Sequence, residues 1–301
     1  MPNLYTVLAK KEASEDFLSE KEKFSVYYHN IFDYPLNFAD LVRWMPGGRS
    51  VGKDFGSELV VCKEGFYFLE GKEVLIYKRI LRGRISSKKF EKAKGVSRIL
   101  SLIPTVKMVA ITGSLAMKNV ADESDIDLLI ITKKGTLWVS RLISYFTLWS
   151  FGIKVRKAGE GIKKDRFCLN MWMDEGDLGW PKKDQNLYTA HEIAQITPLV
   201  NRDRIYEKFI YKNKWIKDYW PNSVKIRNPK SEIQNKFEFS KFKYLNIVSN
   251  FVLRASNLVA FKMQYAYMKP KITREIVTPT RAIFHPHDWS KVVLDRLNLD
   301  L

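Results

Sequence analysis

A chain of 301 residues, 46% of them apolar and 28% charged, can bury two or three packed units and is neither disordered nor fibrous in composition. Two cysteines, Cys62 and Cys168, exclude a disulfide framework, and the longest uncharged apolar run, 142–153, is too short to span a bilayer. The net charge is +18, and the N-terminus turns acidic too early for a signal peptide, so the reading is a cytoplasmic protein with no membrane partner.

The charge is uneven. Residues 1–100 carry +5, residues 101–200 carry +2 and residues 201–301 carry +11. A basic surface of this kind either faces a polyanion such as nucleic acid or is simply solvated.

In chain order, 24–32 has helical spacing and Pro35 ends it. Asn37 is placed to cap a second helix through Met45, with Asp40 three residues on. Pro46-Gly47-Gly48 is a turn, and Ser50 is placed to cap a third helix. Residues 66–69 and 74–77 read as a hairpin around Glu70-Gly71-Lys72-Glu73. Helices followed by a hairpin resemble a winged helix-turn-helix, so 20–82 is read as a winged-helix-like unit. Residues 83–104 are read as a connecting helix, within a basic run, 77–94, whose lysines and arginines face either phosphates or water.

From residue 105 to 200 the pattern becomes α/β, with strands at 107–112, 125–132, 154–157 and 167–173 and a largely buried helix at 136–151. Residues 201–301 read as a basic helical region whose longest element covers 236–268. Its aromatic stripe reads as core, with base stacking as the alternative.

The chemistry concentrates in 109–132, VAITGSLAMKNVADESDIDLLIIT. A Gly-Ser pair ends one apolar run and Asp-Ile-Asp opens the next. Side chains alternate along a strand, so Asp125 and Asp127 point the same way, about 7 Å apart along the backbone. Like charges held so close invite a cation. A glycine after a strand lets backbone amides approach a phosphate, a helix start there offers unpaired N–H groups, and Ser114 adds a hydroxyl. Mg²⁺ takes oxygen ligands and keeps substrate phosphates in its shell. No Walker lysine motif is present, which excludes a P-loop enzyme.

Gly113-Ser114, ten intervening residues and Asp125-Ile126-Asp127 resemble the signature of the nucleotidyltransferase superfamily that shares the DNA polymerase β palm fold. The resemblance implies an α+β fold with a mixed sheet, Asp125 and Asp127 as catalytic metal ligands for two Mg²⁺ ions, and Gly113 and Ser114 as triphosphate-binding residues. It implies transfer of a nucleoside monophosphate from an NTP, with pyrophosphate released. The sequence departs from the family in three places. Met117-Lys118 stand where related domains often have Arg-Gly, with Lys118 as a substitute cation for phosphate. The later strand offers Asn170 at the third metal-site position, where the family usually has a carboxylate. Asp165 is a candidate replacement, with an ordinary loop aspartate as the alternative.

Other candidates read as structural. His285 and His287 flank a proline in a loop, and His191 reads as a polar surface or capping residue on a helix. The leading function is a Mg²⁺-dependent nucleotidyltransferase with an unidentified acceptor. The alternative is a DNA-binding regulator that senses a nucleotide, and a third reading is an antitoxin-like protein partner.

Overall fold

A computed structural model describes residues 18–48, 58–156, 160–161, 163–226, 243–284 and 288–299. The proposed helix at Ser50, and His285 and His287, lie outside them.

The N-terminal part opens with α1 (Glu20–Asn30), where Ser19 and Glu22 form a reciprocal capping box. Strand β1 (Leu36–Asn37) leads to α2 (Phe38–Arg43), which Asn37 caps by accepting from the Asp40 N–H. The Asp40 carboxylate pairs with Arg79 instead of returning to the cap. Strands β2 (Val60–Lys63) and β3 (Phe66–Leu69) form a hairpin, and the small sheet runs β1-β3-β2. The hairpin lies earlier than the sequence suggested. Its turn is Glu64-Gly65, both with positive φ (52° and 75°), as a two-residue turn between right-twisted strands requires. The expected strand 74–77 instead starts the long helix α3 (Val74–Leu100). Leu75, Ser86, Lys89, Ala93, Val96 and Leu100 recur on its inner face at helical spacing, and that period overrides the β-rich look of its first turn.

The main sheet has the order β7-β4-β5-β6-β9-β8. Its strands are β4 (Val106–Ile111), β5 (Ile126–Thr132), β6 (Phe167–Asp174), β7 (Thr197–Asn201), β8 (Ile276–Val277) and β9 (Arg281–Ile283). Only the β5–β6 pair is parallel. Of the strand expected at 154–157, the described residues 154–156 form one isolated parallel bridge, Val155 to Phe167, flanked by backbone hydrogen bonds from Arg156 to Phe167 and from Phe167 to Lys154. The C-terminal region, read as helical, also supplies β8 and β9 to this sheet. Two- and three-residue strands carry no periodicity to betray them.

Helices cover both faces. One face carries α6 (Leu187–Gln195), α7 (Ile205–Lys212) and α8 (Ile216–Tyr219), with α1 and α2; the other carries α3, α5 (Leu137–Ser150) and α9 (Lys243–Met268), and the short α4 (Gly113–Ala116) follows β4 with Leu115 in this second core. Helix α10 (Trp289–Arg296) packs on α6. Central strand β5 is therefore apolar on both faces apart from Asp127 and Thr132: Leu129 and Ile131 enter the first core, and Ile126, Leu128 and Ile130 the second. Each such side chain contributes about 1.5–3 kcal/mol by leaving water. The first core is continuous from Phe24, Tyr28 and Trp44 to Ala190, Trp220 and Leu129, so the N-terminal helices share it with the main sheet. Within it His29 and His191 lie 3.2 Å apart, both buried, which corrects the surface reading of His191. Burial pushes the His29 imidazole down to about 3, so it is neutral.

Candidate active site

Two locally determined features build the site. The first is the turn after β4. Gly113 has φ +60°, and a Cβ there would sit 3.3 Å from Asp127 Oδ2. Only glycine combines that backbone with that approach. Helix α4, which starts at Gly113 as the sequence reading expects, is a single turn of four residues whose first amides lie beside exposed Ser114.

The second feature is the loop 117–125, which delivers the aspartates. The basic helix α3 holds it. Arg79 Nη1 donates to the Lys118 carbonyl at 3.4 Å, Arg82 donates to Asn119 Oδ1 at 3.1 Å, and Lys89 donates to the carbonyls of Asp122 and Ser124 at 2.8 and 2.6 Å. Several cations of the basic run are thus committed to positioning this loop. Lys89 also pairs with Asp165 at 3.2 Å, and Lys92 pairs with the same carboxylate. Asp165 is therefore an anchor for α3 and stands apart from the Asp125–Asp127 cluster. Lys118 is exposed in the left-handed conformation, φ +55°.

At the centre, ligand atoms of Asp125, Asp127 and Cys168 lie within 4.8 Å of one another. Asn170 Nδ2 donates to Asp127 Oδ1 at 2.8 Å. A β-bulge makes this possible. Asp127 pairs with Cys168 but Leu129 pairs with Met171, so β6 carries one extra residue between them. Cys168 and Asn170 can then both face Asp127 while Met171 and Met173 still enter the first core. Arg156 Nη1 lies 2.8 Å from Asp125 Oδ2, an ionic contact that leaves this oxygen without a well-aligned hydrogen bond.

Burial, and then the Asp125 charge, push the Asp127 carboxyl up to about 7, with Arg156 opposing. Burial and Asp127 also raise the Cys168 thiol, which keeps it protonated. Glu192, half-buried on α6, is pushed up to about 7 by burial; Gln195 donates to it at 2.6 Å, and the Asp127 charge adds to the rise. Tyr188, one turn before Glu192 on α6, also feels both carboxylates. Arg156, Cys168, Tyr188 and Glu192 escaped the sequence reading. Strand alternation offers a signal for Cys168, two residues from Asn170. Nothing local announces Glu192, because its relation to Asp127 arises from α6 packing on α4.

The donor set suits a hard divalent cation. Two carboxylates converge, and Asn170 Oδ1 is buried without a partner, an amide oxygen available as a ligand.

A glycine turn after one strand, paired carboxylates at the head of the next and a mixed sheet between helical layers define a nucleotide-transferring α+β fold. The family model described as nucleotidyltransferase domain matches residues 93–252, and the chain belongs to that family. No curated protein and no solved structure shows a significant match to it.

Proposed function

We propose that the chain is a Mg²⁺-dependent nucleotidyltransferase that moves a nucleoside monophosphate from an NTP to a hydroxyl-bearing acceptor and releases pyrophosphate. The convergence of Asp125, Asp127 and the unpaired Asn170 oxygen beside Gly113 carries this reading. Asp125, Asp127 and Asn170 would hold Mg²⁺, two ions in the family's usual arrangement. The metal when bound supplies electrostatic stabilisation of the attacking and leaving oxygens. Gly113 and Ser114 contact the triphosphate through backbone amides and a hydroxyl, and Lys118 adds a cation at the rim. Glu192 takes the acceptor's hydroxyl proton as its oxygen bonds to the α-phosphorus and the bond to pyrophosphate breaks.

The test is label transfer from α-labelled NTPs with Mg²⁺ or Mn²⁺, a cell extract serving as acceptor. Labelled product from the wild type and none from Asp125→Asn/Asp127→Asn supports the reading. Absence of product with a protein that still binds NTP contradicts it.

One observation favours a second reading, a DNA-binding regulator that senses a nucleotide. The small sheet runs β1-β3-β2 behind α1 and α2, a winged-helix-like order. Duplex DNA binding that is steeply salt-dependent and survives Asp125→Asn would support it.

A further inference from the structure

Helices α5 and α9 lie side by side. The Asn257 side chain accepts from the Trp138 and Val139 N–H groups, and Gln264 bonds both Arg141 and the Trp138 carbonyl. Their outer faces are unusually apolar. Phe146, Trp149 and Phe151 are 67%, 73% and 58% exposed, and Val259 and Met263 are 58% and 67% exposed. These two helices and Phe151 hold ten of the twenty-one exposed large apolar side chains among the described residues. Exposed apolar side chains concentrated on two packed helices, with Phe146 and Trp149 adjacent, mark an interaction site. The sequence expectation of a largely buried helix at 136–151 fails for the same reason.

Charge selects the occupant. Neither helix contains an aspartate or glutamate; Arg254 and Lys262 are exposed on α9, while Arg141 is part-buried and bonded to Gln264. Neighbouring α3 has nine basic residues and one acidic residue, with Arg84, Lys88 and Arg98 exposed. A second copy would set two such cationic faces against each other and is disfavoured. Nucleic acid would match the charge but offers no apolar medium for the exposed valine and methionine. An anionic bilayer surface offers both. Aromatic and aliphatic side chains enter the headgroup–acyl boundary while lysine and arginine pair with phosphates. No helix among the described residues is long and apolar enough to cross a membrane, and surface docking needs none.

We propose that the outer face of α5 and α9 docks the protein on bilayers containing anionic lipid. Asp127 shares a sheet face with Leu129 and Ile131, opposite these helices, so docking leaves the active site open. Co-sedimentation with vesicles tests this, using phosphatidylcholine alone and an equimolar mixture with phosphatidylglycerol. The expected result is binding to the mixture, weak binding to phosphatidylcholine, and a loss of about tenfold or more in Phe146→Ser/Trp149→Ser. Both side chains are exposed, so the variant should keep its circular dichroism spectrum and its NTP binding. Lys154, just past Phe151, and Lys262 on α9 are both exposed, so Lys154→Glu/Lys262→Glu should weaken binding to the mixture without changing the apolar face. No binding to the mixture, or equal binding by the Phe146→Ser/Trp149→Ser variant, overturns the proposal. So does a dimer in light scattering that this variant dissociates without any vesicle binding, or retention of duplex nucleic acid alone.

Discussion

Asn170 donates to Asp127 Oδ1 at 2.8 Å and leaves its own Oδ1 buried without a partner. A neutral amide thus stands beside the two carboxylates, satisfying one of them and leaving its own oxygen unpaired. Asn170→Asp replaces that hydrogen bond with repulsion. Above pH 7, where Asp127 is ionised, the apo protein should lose about 2 kcal/mol of stability, the scale of a hydrogen bond to a charged group. Mn²⁺ affinity should rise about tenfold with the added ligand charge. Asn170→Leu should lower it. Thermal melts and calorimetric titration read both effects.

The raised Asp127 carboxyl gives a signed pH dependence. The folded chain keeps this proton to about pH 7, whereas the ordinary carboxyl loses it near 3.8. The folded state therefore binds more protons across that window, and this group's contribution to stability falls as pH rises. The difference in denaturant midpoint between Asp127→Asn and the wild type, measured without metal from pH 5 to 8, should shift in favour of the variant as pH rises. Metal affinity in the wild type should run the other way, climbing with pH and levelling above about 7 as proton competition ends.

Gly113→Ala places a Cβ 3.3 Å from Asp127 Oδ2 on a backbone with φ +60°. The conformation alone costs about 1–2 kcal/mol. A lowered melting temperature and weakened Mn²⁺ binding in the same variant are expected. Ala substitution at exposed Ser114 should spare stability and weaken NTP binding.

Glu192→Gln removes the proton acceptor proposed on α6 while keeping its shape and the means to bond Gln195. kcat should fall by about 10² to 10⁴-fold with little change in NTP affinity. An unchanged kcat would remove Glu192 from the mechanism.

How far the sequence carries the reader depends on how local each feature is. Gly113, Asp125 and Asp127 were legible because a strand, a glycine turn and a strand head are set by neighbours in the chain. The position of Asn170 on the adjacent strand was also legible, since it is the one polar residue in the otherwise apolar stretch 167–173. Its contact with Asp127 depends on a bulge that no pattern announces. The hairpin was misplaced because residues 74–77 look strand-like until the period of the following turns is counted. The His29–His191 contact, the Glu192–Asp127 relation and strands β8 and β9 come from elements distant in sequence. Asp165 was read as a possible ligand because its bonding to Lys89 and Lys92 is equally non-local.

The central claim is transfer at the α-phosphorus. Parallel reactions with α-labelled and γ-labelled NTP, Mg²⁺ and a cell extract, for the wild type and Asp127→Asn, test it most directly. The account predicts α-label retained on an acceptor, γ-label released as pyrophosphate, and both lost in the variant. Retention of γ-label, or turnover that persists in Asp127→Asn, would contradict it.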